Sequence, residues 1–274
     1  MFITAASRRT RPVVNCRAFS SSRLAGVGRN TLSPGVHRPR LLDAFFSLSG
    51  WSKFVVLSAA LSFSLALWIF GELVDHAVKG DYLPQEERIL KAFRHPDNLT
   101  QPIGPHWVEV AARDLTAMGG ATFLSLLTVS VLTFELLSGR KRTALLLLVA
   151  ALGGLALSTG LKELFDRPRP TAVPALMVET SASFPSGHTM LSSVIYLTLG
   201  SLVSRALERR SAKLFVVGLA LLLACLTGIS RVFLGVHYPT DVLAGWTAGT
   251  AWALLCWTLA LALEKRGNGR ALQR

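Results

Sequence analysis

The chain has 274 residues, of which 51% are hydrophobic and 16% charged, yet its formal net charge is +13. Its mean hydropathy is +0.44. An ordinary soluble domain carries about a quarter charged residues, so these figures exclude disorder, a collagen repeat and a disulfide-stapled scaffold. They also disfavour nucleic acid as a partner, because a nucleic-acid binder sets its basic surface on an ordinary polar background. An apolar chain with a strong positive charge fits a membrane protein whose cations lie in its loops.

Residues 1–45 read as a basic arm. The first 40 hold eight Arg and no Asp or Glu, with a Ser20-Ser21-Ser22 run. Such a segment has the composition of an organelle transit peptide. The plainer readings are a disordered cytoplasmic arm or an over-long start, and they are preferred because the arm has no apolar signal core. Residues 46–274 read as one domain.

Six stretches in that domain approach the roughly 20 apolar residues that cross a bilayer core of about 30 Å. They are 54–70, 115–134, 143–161, 189–204, 214–230 and 242–263. The expected fold is all-α, a six-span helix bundle. Between the first two spans, 86–93 and 108–115 read as short interfacial helices, and Trp107 suits a headgroup boundary. Asn98-Leu99-Thr100 is a glycosylation sequon, of use only where the host glycosylates that face. Cys16, Cys225 and Cys256 show no metal-like spacing. The last two lie in apolar runs and read as small packed hydrophobes.

Loop charge orients the bundle. Twenty of the 29 Lys and Arg fall before the first span, in alternate loops and after the last span, and nine fall in the other loops. Acids divide the opposite way, giving net charges of +16 and −3 on the two sides. Lys and Arg collect on the cytoplasmic side. Both termini are therefore expected there, with 72–114, 162–188 and 231–241 facing outward.

Ionisable residues at span ends are costly in a membrane chain and mark functional sites. Three groups stand on the outward side: Lys162 to Pro170, Phe184 to His188 and Ser230 to Asp241. Lys162, Arg169 and Arg231 supply three cations, and Arg forks match phosphate oxygens. Pro185-Ser186-Gly187 ahead of a helix offers free N–H groups and a positive dipole end, an anion site. His188 and His237 supply a nucleophile and an acid that work near neutral pH. Asp241, four residues after His237, is placed to orient its ring. Each piece also has a duller reading. Ser186 suits a helix cap, Asp241 suits the N-cap of the last helix, and Arg167 suits a lipid-headgroup anchor.

The three groups together resemble the type 2 phosphatidic acid phosphatase family of integral membrane lipid phosphatases. The matching residues are Lys162 with Arg169-Pro170, then Pro185-Ser186-Gly187-His188, then Ser230-Arg231 with His237 and Asp241. The resemblance spans about residues 50–265. It implies that His237 attacks phosphorus, that Asp241 holds His237, and that His188 serves as acid and then base. It further implies that Lys162, Arg169, Ser186, Gly187 and Arg231 hold the phosphoryl oxygens. The fixed cations would replace a metal ion, so no metal and no cofactor are expected. The partners implied are a lipid phosphate and the bilayer. Undecaprenyl diphosphate or phosphatidate in a bacterial inner membrane is favoured, with phosphatidylglycerol phosphate also in the class. The alternatives are a lipid-linked phosphotransferase, or a non-catalytic lipid-binding or transport protein. A vanadate-dependent haloperoxidase has a similar pocket on a soluble fold.

Overall fold

The structure, a computed structural model, describes the backbone of residues 50–79 and 83–271 and the side chains of 57–79 and 84–261. The expected basic arm and Cys16 lie outside the described residues. Helix α1 (Gly50–Lys79) is followed by α2 (Leu83–Ala92), a two-stranded hairpin of β1 (Arg94–His95) and β2 (Asn98–Pro102), and α3 (His106–Ala117). Then come α4 (Ala121–Leu137), α5 (Lys141–Phe165), α6 (Gly187–Ala206), α7 (Arg210–Phe233) and α8 (Pro239–Ala271). The hairpin amends the all-α expectation. It turns through Pro96-Asp97, residues that favour a tight reversal, and its register is Arg94 to Pro102 and His95 to Asn98. Buried Arg94 donates to the Phe233 carbonyl at 2.8 Å, so the hairpin is tied to the last turn of α7.

Five of the six apolar stretches lie within single helices, and 115–134 is divided between two. Among the described residues, four helical segments are long and apolar enough to cross a membrane: Leu57–Lys79, Lys141–Phe165, Arg210–Phe233 and Pro239–Leu261. A fifth counts if α3 and α4 form one broken span, since they meet at a 46° bend. The expected continuous span over 115–134 is therefore corrected to two helices. Gly119 sits at the break, and a Cβ there would lie 2.2 Å from the Thr227 methyl and 3.2 Å from the His188 carbonyl oxygen. Only a residue without a side chain lets the chain pass this close, and consecutive glycines also weaken helix continuation. Tyr196 donates to the Met118 carbonyl at 2.7 Å and holds the bend in place.

Helix α6 is the bundle's centre, packed by α4, α5, α7 and α8, while α1 packs on α8. Thr189, Ser192, Ser193 and Thr198 on α6 are buried beside Met190, Val194 and Ile195. A helix enclosed by other helices uses small and weakly polar residues for close approach, which lowers its hydropathy below that of its neighbours. The main core joins Leu124, Ala150, Val194, Ile195, Ala220, Ala224 and Cys256. On α7, Leu222 and Ile229 face outward and Cys225 shares that exposed stripe. Cys256 is thus packed as expected, whereas the expectation for Cys225 fails because the helix turns it away from the core.

Candidate active site

The three groups of polar residues meet at one end of the bundle. Helix α5 closes with Asp166 in the left-handed region, φ 39°. Arg167 and Arg169 then each precede a proline, which favours extended backbone. Residues two apart on an extended chain share a side, so both guanidiniums reach the α7–α8 connection. That connection turns at Gly235, φ +74°, a conformation that glycine adopts without a Cβ penalty. The turn delivers His237 just before α8.

His237 is buried. Its Nδ1 lies 3.4 Å from Asp241 Oδ2, and its Nε2 lies 3.5 Å from Arg169 Nη1. One ring nitrogen thus faces a carboxylate and the other faces a cation. Asp241 Oδ2 also accepts from the Tyr238 backbone N–H at 2.9 Å and from Ser183 Oγ. Asp241 is thus the third residue of α8 and not its N-cap, and from there its carboxylate both caps the Tyr238 N–H and holds the histidine. Burial pushes His237 down to about 4, against the raising effect of its Asp241 hydrogen bond and charge, so the ring is neutral at pH 7.

Arg169 stands on the Nε2 side, and Lys162 meets it at Ser181. Arg169 donates to the Ser181 and Val236 carbonyls, each at 2.8 Å. Lys162, in the last turn of α5, donates to Ser181 Oγ and the Ala182 carbonyl, each at 2.9 Å. A Cβ on Gly187 would lie 3.3 Å from Lys162 Cε, so Lys162 stands beside the first residue of α6. Ser186 stands at the N-cap position of that helix without a side-chain capping bond; it is buried and accepts from Thr189 Oγ1 at 2.9 Å. Arg231 is 0% exposed, and its Nε has no hydrogen-bond partner among the described residues. His188, next to Gly187, has its pKa lowered to about 3 by burial first and then by Arg231, with Glu179 opposing. All eight residues singled out in the sequence are thus gathered around the start of α6 and the α7–α8 connection.

Four further residues join them without a sequence motif to announce them. Glu179 accepts from Arg231 at 2.5 Å and lies 3.7 Å from Arg169. Burial alone would raise its pKa, but Arg231, His188 and Arg169 hold it below the usual carboxylate range. Ser183 bonds Asp241. Arg167 is 8% exposed and donates to Asp241 Oδ1 at 2.6 Å and Glu86 Oε2 at 2.7 Å. Its guanidinium lies 4.3 Å from the centroid of the Tyr238 ring. The reading of Arg167 as a headgroup anchor is overturned, because both ends of its fork are taken by buried carboxylates. Burial would lower its pKa, yet Asp241 and Glu86 raise it. For Glu86 the available signal was its spacing. Glu86 and Leu90 share one face of α2 at i and i+4, with Phe93 just past its end, and a lone acid on an apolar stripe calls for a buried partner.

Residues 143–265 match the PAP2 superfamily. A phosphatidylglycerophosphatase B from Bacillus subtilis (strain 168) is 35% identical over 144 residues, covering 52% of this chain and 70% of that protein. The chain belongs to the PAP2 superfamily. This PAP2 chain is a multi-pass membrane protein and a lipid phosphatase. An undecaprenyl-diphosphatase from Sulfolobus acidocaldarius is 34% identical over 87 residues, 31% of this chain and 38% of that protein. The crystal structure of a transmembrane PAP2-type phosphatidylglycerolphosphate phosphatase from Bacillus subtilis matches with a TM-score of 0.65 and 29% identity. It covers 72% of this chain and 95% of that one.

Proposed function

We propose that this PAP2 chain hydrolyses a lipid phosphomonoester or diphosphate through a phosphohistidine on His237, without a metal ion. The observation that carries the reading is the polarity of the His237 ring, Nδ1 toward Asp241 and Nε2 toward Arg169. The Nδ1 proton donated to Asp241 leaves the Nε2 lone pair aimed at the cation pocket. That lone pair attacks phosphorus, and the P–O bond to the lipid breaks. His188 gives a proton to the departing oxygen. Water then attacks the phosphohistidine, His188 takes its proton, the N–P bond breaks, and phosphate leaves. Lys162, Arg169 and Arg231, with the Ser186 hydroxyl and the Gly187 N–H, hold the phosphoryl oxygens throughout. Phosphoryl transfer depends mainly on such positioning and charge stabilisation. Burial and Arg231 keep His188 neutral at pH 7. A dianionic phosphate beside it favours the imidazolium, so substrate binding itself brings the acid into its working form.

Six spans are proposed, counting α3 with α4 as one and α6 over 189–204 as the fourth. Both termini then lie in the cytoplasm and the site opens at the outer face of a bacterial inner membrane. Undecaprenyl diphosphate, phosphatidate and phosphatidylglycerol phosphate are the substrate candidates, and the relatives' names favour the first and last. The test is phosphate release by the reconstituted protein from each lipid, with and without EDTA. Release unaffected by EDTA is expected. Turnover lost in EDTA and restored by Mg²⁺ contradicts the metal-free mechanism. Transfer of phosphate to another lipid instead of water contradicts hydrolysis.

A further inference from the structure

Helix α2 lies outside the PAP2 match of residues 143–265, yet one of its side chains reaches into the site. Glu86 is 3% exposed. Its Oε2 accepts from Arg167 Nη2 at 2.7 Å, and its Oε1 accepts from the Thr240 backbone N–H at 3.1 Å and from Thr240 Oγ1. The other nitrogen of the same guanidinium donates to Asp241 Oδ1 at 2.6 Å and to Thr240 Oγ1 at 2.8 Å. Asp241 Oδ2 then faces His237 Nδ1. The chain of contacts runs from α2 to the nucleophile without a gap.

We propose that Glu86, through Arg167, is a positioning residue for the Asp241–His237 pair. The inference rests on the phosphohistidine reading above.

The charges explain why two carboxylates are needed. Arg167 paired with Asp241 alone would neutralise it and leave little negative charge for the His237 ring. With Glu86 on the second arm, the cluster of two acids and one guanidinium keeps a net charge of −1 beside Nδ1. That charge favours the positive character that the ring acquires as Nε2 bonds to phosphorus. The fork geometry also fixes orientation, because a planar guanidinium binds one carboxylate on each side. Thr240 donates to Glu86, accepts from Arg167 and lies next to Asp241, so the start of α8 is locked to the same frame.

The experiment compares kcat and KM of reconstituted protein for one lipid phosphate across five variants, with thermal melting to check the fold. Glu86→Gln is expected to lose about tenfold to a hundredfold in kcat, the scale on which outer-shell partners of reactive groups act, with KM within roughly twofold. Glu86→Asp is expected to recover part of the loss. Arg167→Lys, which keeps the charge but cannot bridge both acids, is expected to show the same kcat-specific loss, and it decides the matter if Glu86→Gln does not fold. In an Arg167→Gln background, Glu86→Gln is expected to change kcat by less than about twofold, because coupled residues are not additive. Wild-type kcat in Glu86→Gln, or fully additive losses, overturns the proposal. Turnover retained by His237→Ala instead overturns the phosphohistidine reading, whatever Glu86 does.

Discussion

The two ends of the bundle are built on opposite principles. At the end that carries the motifs, Glu86, Arg94, Arg167, Arg231, His237 and Asp241 are all buried, and hydrogen bonds or ion pairs join each of them to its neighbours. At the other end lie two apolar hollows of about 460 and 450 Å³, which share Leu146, Arg205 and Cys256 in their walls. Burying a charge is affordable only when it is paired and hydrogen-bonded. The motif end therefore has one arrangement that satisfies its charges, and that arrangement fixes the reacting groups. Among the described residues, the other end buries a single acid, Glu135, met by Arg140 at 2.7 Å, and its hollows are walled mainly by apolar residues. The proposed catalytic geometry lies in the polar end, and the apolar helices form the rest of the bundle.

This contrast is open to attack at both ends. The largest effect is expected from Asp241→Asn, which keeps the shape but removes the charge that holds His237. A loss approaching 10⁴-fold in kcat is expected, the scale found when the orienting carboxylate of a histidine is neutralised. A loss below tenfold would show that Asp241 is only a helix cap. Next comes pH. His237 lies well below its usual 6.5, so it stays neutral, and nucleophilic, down to about pH 5. As pH falls through about 4 it takes up a proton and loses its lone pair, and activity falls about tenfold per pH unit beyond that point. The acid limb of kcat/KM is therefore expected below pH 5. A nucleophile-linked limb near 6.5 would contradict the buried, neutral ring.

A smaller effect concerns Glu179, whose carboxylate sits on Arg231 and near Arg169. It competes with phosphate for the same cations. Glu179→Gln is expected to tighten inhibition by inorganic phosphate roughly fivefold, about 1 kcal/mol for a partly exposed pair. Unchanged or weaker inhibition would show that the carboxylate supports the pocket instead. The smallest effect is expected at the apolar end. Thr198 lines the larger hollow, and its buried hydroxyl has no hydrogen-bond partner among the described residues. Replacing an unsatisfied hydroxyl by a methyl is near neutral or stabilising. Thr198→Val is expected to leave kcat within roughly twofold and not to lower the melting temperature. A large loss of kcat there would break the division between the ends.

Much of this was legible in the sequence because the informative residues are close together along it. Lys162 and Arg169 lie on one turn and its exit, and His237 and Asp241 are four residues apart at a helix start. Apolar runs located the helices for the same reason, since a span is a local property. What was missed depends on distance along the chain. Glu86 and Arg167 are 81 residues apart, and Ser183 and Asp241 are 58 apart. No local pattern connects them, and an arginine between prolines in a loop reads equally well as solvated. The bend at Gly119 was hidden because apolar residues continue across it. What breaks the helix there is the close approach of Thr227 and His188, which belong to other helices. The hairpin escaped because two residues in β1 carry no alternation to read.

The central claim is that His237 carries the phosphoryl group. Its most direct test is rapid acid-free quenching of the reconstituted protein with lipid labelled by ³²P in the phosphate that is transferred, followed by peptide mapping. The label is expected on the peptide containing His237, stable to base and lost in acid, absent from His237→Ala and increased in His188→Ala, where hydrolysis of the intermediate is slowed. Phosphate released with no labelled protein in either wild type or His188→Ala, or label on a residue other than His237, would contradict it.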